Sequence, residues 1–271
     1  MEPSPSIFPL GDAAITIDLG NHIDEHLNKK ALAIQDRLAA LRIPGVKDII
    51  VAYSSVSVFY DPVSAGKDNG SSCPDGAFVR MKKRLEAVWR EVSVSSEYSG
   101  LQSLHNSGEH TGSLPAPDAR TEGNIIRLPV CYEPEYGPDL DLLARKKGMT
   151  REDIIHLHTA GVYRVYMIGF LPGFPYLGKV DPALEIPRKE RPIPVAAGGV
   201  GIAGNQTGIY PLNSPGGWQI IGRTPLKLFD SHALVPVRMK TGDRVQFFSV
   251  TRQEFQDLAF RGAIPQPNQT G

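Results

Sequence analysis

Apolar and polar residues alternate through AAITIDLG (residues 13–20), and a period of two predicts a strand with one buried face. The period then changes. In NKKALAIQDRLAALRIPG (28–45), Ala31, Ile34, Leu38 and Leu41 recur at spacings of three and four, which predicts an amphipathic helix stopped by Ile43, Pro44 and Gly45. VKDIIVAYSSVSVFYDP (46–62) is β-branched and aromatic, and long enough for two paired strands turning near Tyr53, Ser54 and Ser55. After a loop at 64–76, FVRMKKRLEAVWREV (78–92) sets Phe78, Met81, Leu85, Val88 and Val92 on a second helical face. A small sheet with two helices on one side, an α+β domain over 1–92, is the expected result.

Periodicity disappears over 93–123, where seven of 31 residues are serine, so this segment is read as a linker or exposed insertion. Its histidines, His105 and His110, are read as solvated linker residues rather than metal ligands. A second unit is expected over 124–271. IIRLPVCY (125–132) predicts a strand, and 139–160 a pair of short helices. Gly148 closes the first helix, and Thr150 caps the second with Asp153 three residues on. A DNA-binding helix-turn-helix is set aside for want of a second recognition element and of basic charge. Residues 169–223 hold 11 of the 27 glycines and 8 of the 23 prolines, a density that long helices do not survive. WQIIG (218–222), LKLFD (226–230) and RVQFFSV (244–250) read as strands, with a turn at 241–243. Short strands and tight turns predict a closed β-barrel with few exposed edges.

The totals narrow the function. Lys+Arg and Asp+Glu are 29 each, so nothing in the charge balance points to nucleic acid or an anionic membrane. No apolar run approaches the ~20 residues needed to span a bilayer. The start, MEPSPSIFPLGDAAITI, predicts no signal peptide, and two cysteines, Cys73 and Cys131, are too few for a disulfide framework. A reduced, cytoplasmic setting is the expectation.

Candidate chemistry gathers in two segments. YRVYMIGFLPGFPYLG (163–178) carries Tyr163, Tyr166, Phe170, Phe174 and Tyr176 on a backbone shaped by Gly169, Pro172, Gly173 and Pro175. AGNQTGIYPLNSPGGWQIIGRTP (203–225) adds Tyr210 and Trp218, five glycines and no acidic residue. Rings on a Gly/Pro-shaped backbone can line a pocket; each ring alone reads first as barrel core, the stretch as a whole as a binding surface. Arg164 and Arg223 are candidate clamps for a carboxylate or phosphate, or else surface ion-pair partners. Gln206, Thr207, Asn213, Ser214 and Gln219 can supply neutral hydrogen bonds, and the glycines at 204 and 208 let backbone N–H groups approach an anion. His156 and His158 do not share a helical face and make a poor metal pair; His158 alone reads as a general base at the barrel mouth or as a packing histidine. No metal-ligand spacing, no G-x-x-x-x-G-K-[ST] phosphate loop, no dinucleotide fingerprint and no G-x-S-x-G elbow is present.

LPVCYEPEYGPDLDLLA, the two segments above and GDRVQFF, in that order, resemble the KipI/PxpB family, long labelled allophanate hydrolase subunit 1; GDAAITIDLG and YSSVSVFYDP match its N-terminal domain. The resemblance implies a small ferredoxin-like α+β domain followed by a cyclophilin-like β-barrel. It implies the B-type subunit of a prokaryotic ATP-dependent 5-oxoprolinase, which opens 5-oxoproline to L-glutamate, with ATP bound by the assembled complex. The implied partners are a C-type (KipA-like) barrel subunit and an A-type lactam-utilisation subunit. The same resemblance allows a non-enzymatic inhibitor of a sporulation histidine kinase, its groove holding a kinase segment. The allophanate hydrolase label fits poorly, because no Ser–Ser–Lys amidase set is present, and prolyl isomerase activity rests on fold alone. On the oxoprolinase reading Arg223 or Arg164 holds the substrate carboxylate, with His158 as a further catalytic candidate. Phe170, Phe174, Tyr176, Gln206, Thr207, Tyr210, Ser214 and Trp218 line the site.

Overall fold

A computed structural model describes residues 4–68, 71–72, 76–102 and 125–261. The chain divides into two compact units, Met1–Glu122 and Gly123–Gly271. Cys73, His105 and His110 lie outside the described residues.

In the first unit, strands β1 (Ser6–Pro9), β2 (Ala14–Asp18), β3 (Val46–Val51) and β4 (Ser55–Tyr60) form an antiparallel sheet in the order β1-β2-β4-β3. Helices α1 (Glu25–Ala40) and α3 (Gly76–Gln102) are built on it, and a one-turn α2 (Pro62–Ala65) and the short pair β5 (Lys67–Asp68) and β6 (Ser71–Ser72) lie between. The alternation in β2 and β4 buries Ile15, Ile17, Val56 and Val58 together with Ala31, Ile34 and Leu38 of α1 and Met81, Leu85 and Val88 of α3. This is a ferredoxin-like arrangement with β1, which the periodicity does not announce, on the edge beside β2. Pro9 is tolerated there because an edge strand needs fewer donors. Leu41, expected on the buried face of α1, is exposed because the helix ends at Ala40. The serine-rich segment expected to be a linker from Ser93 is helical over 93–102, as the last turns of α3. Serine weakens a helix only by tenths of a kcal/mol per residue, so it does not stop one already nucleated upstream.

The second unit is a seven-stranded sheet. Its strands are β7 (Ile125–Val130), β8 (Val162–Ile168), β9 (Pro175–Gly178), β11 (Gly199–Ala203), β12 (Gln206–Ile209), β14 (Gln219–Arg223) and β15 (Arg244–Ser249), in the order β14-β11-β12-β9-β8-β15-β7. A bridge between Cys131 and Arg223 brings the two edge strands together, so the sheet closes into a barrel. Its interior holds Leu128, Val130, Tyr163, Val165, Leu177, Val200, Ile202, Ile209, Ile221, Val245 and Phe247. Helices α4 (Leu140–Lys147) and α5 (Arg151–Ala160) add Leu140, Leu143 and Ile154 to the same core. Gly148 ends α4 in the left-handed region, and Thr150 and Asp153 form a reciprocal capping box. A two-stranded ladder of β10 (Ile193–Val195) and β13 (Ser214–Gly216) lies beside the barrel, and α6 (Arg252–Arg261) follows β15. LKLFD is not a strand: it makes only an isolated bridge between Phe229 and Val237, and Pro236 keeps the opposing segment from extending the ladder. Among the described residues no helix is long and apolar enough to cross a membrane.

Gly137 shows how tightly α4 is seated. Its N–H and that of Tyr136 reach the Glu133 carbonyl, and the Asp139 N–H donates to the Ile220 carbonyl at 2.9 Å. A Cβ on Gly137 would stand 2.1 Å from the Ile221 carbonyl oxygen. Gly137→Ala should therefore lower the melting temperature by roughly 5 °C or more, since overpacking against backbone costs about 1–3 kcal/mol. Calorimetry of the purified variant checks this, and an unchanged transition would show that α4 can lift away freely.

Candidate functional site

The barrel strands use both faces. On β9, Leu177 enters the barrel core and Tyr176 belongs to a second cluster; on β14, Ile221 faces inward and Ile220 joins that second cluster. The second cluster comprises Phe174, Val195, Ala203, Tyr210, Trp218 and Ile220, with Leu171 and Tyr176 against it, and so lies on the outer face of the sheet. Phe174 is its hub. Its centroid is 4.8 Å from that of Tyr176, 5.1 Å from Tyr210, 5.5 Å from Trp218 and 5.7 Å from Phe170.

Glycine makes this packing possible. A Cβ at Gly208 would come 2.9 Å from Trp218 Cζ3 and 3.1 Å from Phe174, and one at Gly201 would come 3.1 Å from Trp218 Cβ. A Cβ at Gly216 would come 2.3 Å from the Tyr210 hydroxyl. The indole therefore lies against bare backbone. The rings do not line an open pocket, as the sequence suggests: Phe174, Tyr210 and Trp218 are buried as a small core. What remains accessible is its rim, the half-buried Tyr176 and the exposed Phe170.

The cation at this rim is Arg188, which sequence reasoning missed. Its guanidinium carbon sits 5.9 Å from the Trp218 ring centroid, within cation–π range, and the residue is exposed. The segment that carries it is strapped to the ring strand. The Lys189 N–H donates to the Gly217 carbonyl at 2.7 Å, and Lys189 Nζ donates to the Trp218 carbonyl at 3.2 Å and to Asp139 Oδ2. That carboxylate oxygen also accepts from the Ile220 N–H at 2.6 Å, and Gln219 Nε2 donates to the Pro187 carbonyl at 3.1 Å.

The other expected residues separate. Arg164 on β8 pairs with Gly178 on β9, and Gly178 pairs with Gln206 on β12, so Arg164 and Gln206 share a row on the outer face two positions along from Tyr176. Arg223 stands five residues beyond Trp218, roughly 16 Å along an extended strand, and its Nε donates to the Ala197 carbonyl at 2.7 Å. It fastens the turn before β11, whose Ala197 N–H is held by Asn213 Oδ1, and is not the clamp of the ring cluster. Ser214 sits in the β10/β13 ladder with its hydroxyl buried.

His158 is not at the barrel mouth. It is fully buried, stacked 4.6 Å from Phe247 at an interplanar angle of 16°. Nδ1 lies 2.7 Å from the Tyr132 hydroxyl, and Nε2 lies 3.0 Å from Thr207 Oγ1. Thr207 gives its single proton to the Gly201 carbonyl, so it accepts from His158 Nε2–H, and Nδ1 accepts from Tyr132. Thr207 thus faces inward and belongs to this chain of bonds rather than to a binding surface. Burial pushes the His158 pKa down to about 3, so the ring is neutral at physiological pH. Cys131 is buried, and burial pushes its thiol up. Neither can act as an accessible base or nucleophile. Among the described residues no group of three His, Cys, Asp or Glu could hold a metal. The first unit carries a recess of about 250 Å³ lined by residues that include Phe8, Asp18, His22 and Tyr53, and none of the candidate site residues lines it.

Residues 5–239 match the family model of the carboxyltransferase domain, subdomain C and D. The chain is 36% identical over 252 residues to the B subunit of 5-oxoprolinase from Bacillus subtilis, covering 92% of this chain and 94% of that one. It is 33% identical over 246 residues to the Haemophilus influenzae protein of the same name, covering 89% and 96%. The crystal structure of TTHA0988 superposes with a TM-score of 0.66 at 32% identity; the match spans 88% of this chain but 40% of that one. Kluyveromyces lactis urea carboxylase shares the fold, at a TM-score of 0.69 and 17% identity, over 95% of this chain and 23% of that one.

The buried histidine gives a pH test. The unfolded ring titrates near 6.5 and the folded ring near 3, so the unfolded chain binds the extra proton between those values. The stability contributed by the neutral ring is complete above about 6.5 and is lost as pH falls towards 3, by at most about 1.4 kcal/mol per pH unit. His158→Leu should cost roughly 2–4 kcal/mol at pH 8, because Tyr132 and Thr207 lose their partner, and the wild-type-minus-variant difference should shrink on acidification. Urea titrations at pH 8, 6 and 5 measure this; a constant difference contradicts the assignment.

Proposed function

We propose that this chain, which belongs to the family of 5-oxoprolinase B subunits, is the B-type subunit of an ATP-dependent 5-oxoprolinase. In this reading it opens 5-oxoproline to L-glutamate in the cytoplasm, together with a C-type barrel subunit and an A-type lactam-utilisation subunit. The observation that carries the reading is the match of nearly the whole chain to two relatives of that name, each itself covered almost end to end.

The ring rim suits one half of such a substrate. A small lactam acid needs a cation for its carboxylate and a flat apolar wall for its ring. Arg188 over Trp218 offers the first, and Tyr176 and Phe170 offer the second. Arg164 and Gln206, one row along, are the next polar groups. Opening a stable lactam requires an activated carbonyl and then water. With His158 neutral and enclosed and Cys131 buried, this chain binds and orients, and the reacting acid–base groups come from its partners.

Four of the described helices have N-termini already closed by their own side chains, which does not favour an ATP phosphate seat there. A helix N-terminus offers free N–H groups to phosphate, yet Asp24 caps α1, Asp61 caps α2, Thr150 with Asp153 caps α5, and Thr251 with Glu254 caps α6; at α4 the Asp139 side chain makes no cap bond, but its carboxylate stands there and is held by Lys189 and the Ile220 N–H. We therefore place the nucleotide contacts on another subunit. The histidine-kinase inhibitor reading gains no specific observation from the site.

Purified chain, mixed with its C- and A-type subunits, ATP and 5-oxoproline, should release glutamate and ADP. Arg188→Ala should raise the KM for 5-oxoproline about 10- to 100-fold with kcat changed far less, the effect of losing a charged hydrogen bond. Arg223→Ala should change KM less than Arg188→Ala does. Unaltered KM in Arg188→Ala removes the rim from the site, and absent turnover in the wild-type mixture removes the function.

A further inference from the structure

Two loops of the barrel unit that meet at their bases carry exposed apolar side chains. Phe170 occupies the left-handed region at φ +65°, where an aromatic residue is strained, and is 64% exposed. The turn that holds it there is closed by its own bonds: Gly169 N–H to the Phe174 carbonyl at 3.1 Å, Leu171 N–H to the Gly169 carbonyl at 2.8 Å, and Phe174 N–H to the Leu171 carbonyl at 3.0 Å. The second loop, 230–236, carries Leu234 at 104% and Val235 at 72% exposure. It too is held rather than loose. The Asp230 N–H donates to the Pro236 carbonyl at 2.9 Å, Asp230 Oδ1 accepts from the His232 N–H at 3.1 Å, and Asp230 pairs with Lys227 at 2.9 Å. The loops touch at their bases, where a Cβ on Gly173 would lie 3.2 Å from Phe229 Cβ and 3.7 Å from Val237 Cγ1.

A strained, ordered turn that holds a phenylalanine in water, beside a pinned loop that does the same with a leucine and a valine, has no benefit to the isolated chain. In TTHA0988 the matching portion is 40% of a longer chain, so more than half of that polypeptide continues beyond the unit shared with this one. We propose that Phe170, Leu234 and Val235 form the apolar contact with a separately encoded chain that takes the place of that continuation. The proposal rests on the oxoprolinase reading above, in which the C-type barrel subunit is that chain. Phe170 stands next to the Tyr176 rim through Phe174, so docking there would finish the wall of the binding site.

The test measures the affinity of the purified chain for its purified C-type subunit by calorimetric titration, alongside the melting temperature of each variant. Leu234→Asp combined with Val235→Asp should weaken binding at least about 100-fold, the scale of central apolar contacts. Phe170→Gly should weaken it about 10-fold without lowering the melting temperature, since glycine adopts the positive φ freely. Val63→Asp, at a position 66% exposed in the first unit, should leave affinity within about twofold. Wild-type binding that survives all three barrel-loop changes overturns the surface assignment and leaves the oxoprolinase reading standing. Wild-type chain that binds neither the C- nor the A-type subunit overturns that reading and this one with it. Self-association that is lost in the variants would give the patch to a second copy and overturn the proposal.

Discussion

Trp218 lying on the bare backbone of Gly201 and Gly208 is the contact on which the rest of the barrel unit depends. With any side chain at Gly208 the indole would be lifted from the sheet and from Phe174, whose ring it meets at 5.5 Å. A lifted indole would no longer offer its face to Arg188, and the Trp218 carbonyl that receives Lys189 would move with it. The strand thus sets the position of the cation through backbone as well as through the ring.

The same strands are braced from inside. Thr207, immediately before Gly208 on β12, faces the barrel interior and bonds both His158 and the Gly201 carbonyl, so the two glycines under the indole are tied to one buried network. Tyr163 adds its hydroxyl to the His158 carbonyl at 2.8 Å, which fixes the end of α5 to the barrel. In a dry interior each of these bonds is strong and each unmade one is costly, so the network favours a single register. His158, a catalytic candidate by its type, and Thr207, a lining candidate, are here the support for a surface made of other residues.

Much of the architecture was legible because it is written in period and punctuation. The alternation in β2 and β4, the three-four spacing of α1 and α3, Gly148 and the Thr150 and Asp153 box all act within a few residues. The same local logic would have found α6, since Thr251 and Glu254 make the reciprocal bonds of a capping box. The spacing rule also separates His156, which is exposed, from His158, which is buried. Arg188 could not be found this way. It lies in a proline-rich run with no pattern, and only its attachment to the Trp218 strand gives it a role. Arg223 misled for the opposite reason. It is close to Trp218 in sequence, but a strand carries it to the far end of the wall.

The chain has two tryptophans, so replacing Trp89 with phenylalanine leaves Trp218, buried beneath the rim, as this chain's single reporter. Emission from Trp218 in the assembled complex, titrated with 5-oxoproline in the absence of ATP, tests most directly whether the ligand sits at the rim of Arg188, Tyr176 and Phe170 that packs around that ring. A saturable change that disappears in Arg188→Ala is the predicted result. Saturable binding of 5-oxoproline by calorimetry with no change in Trp218 emission would contradict it.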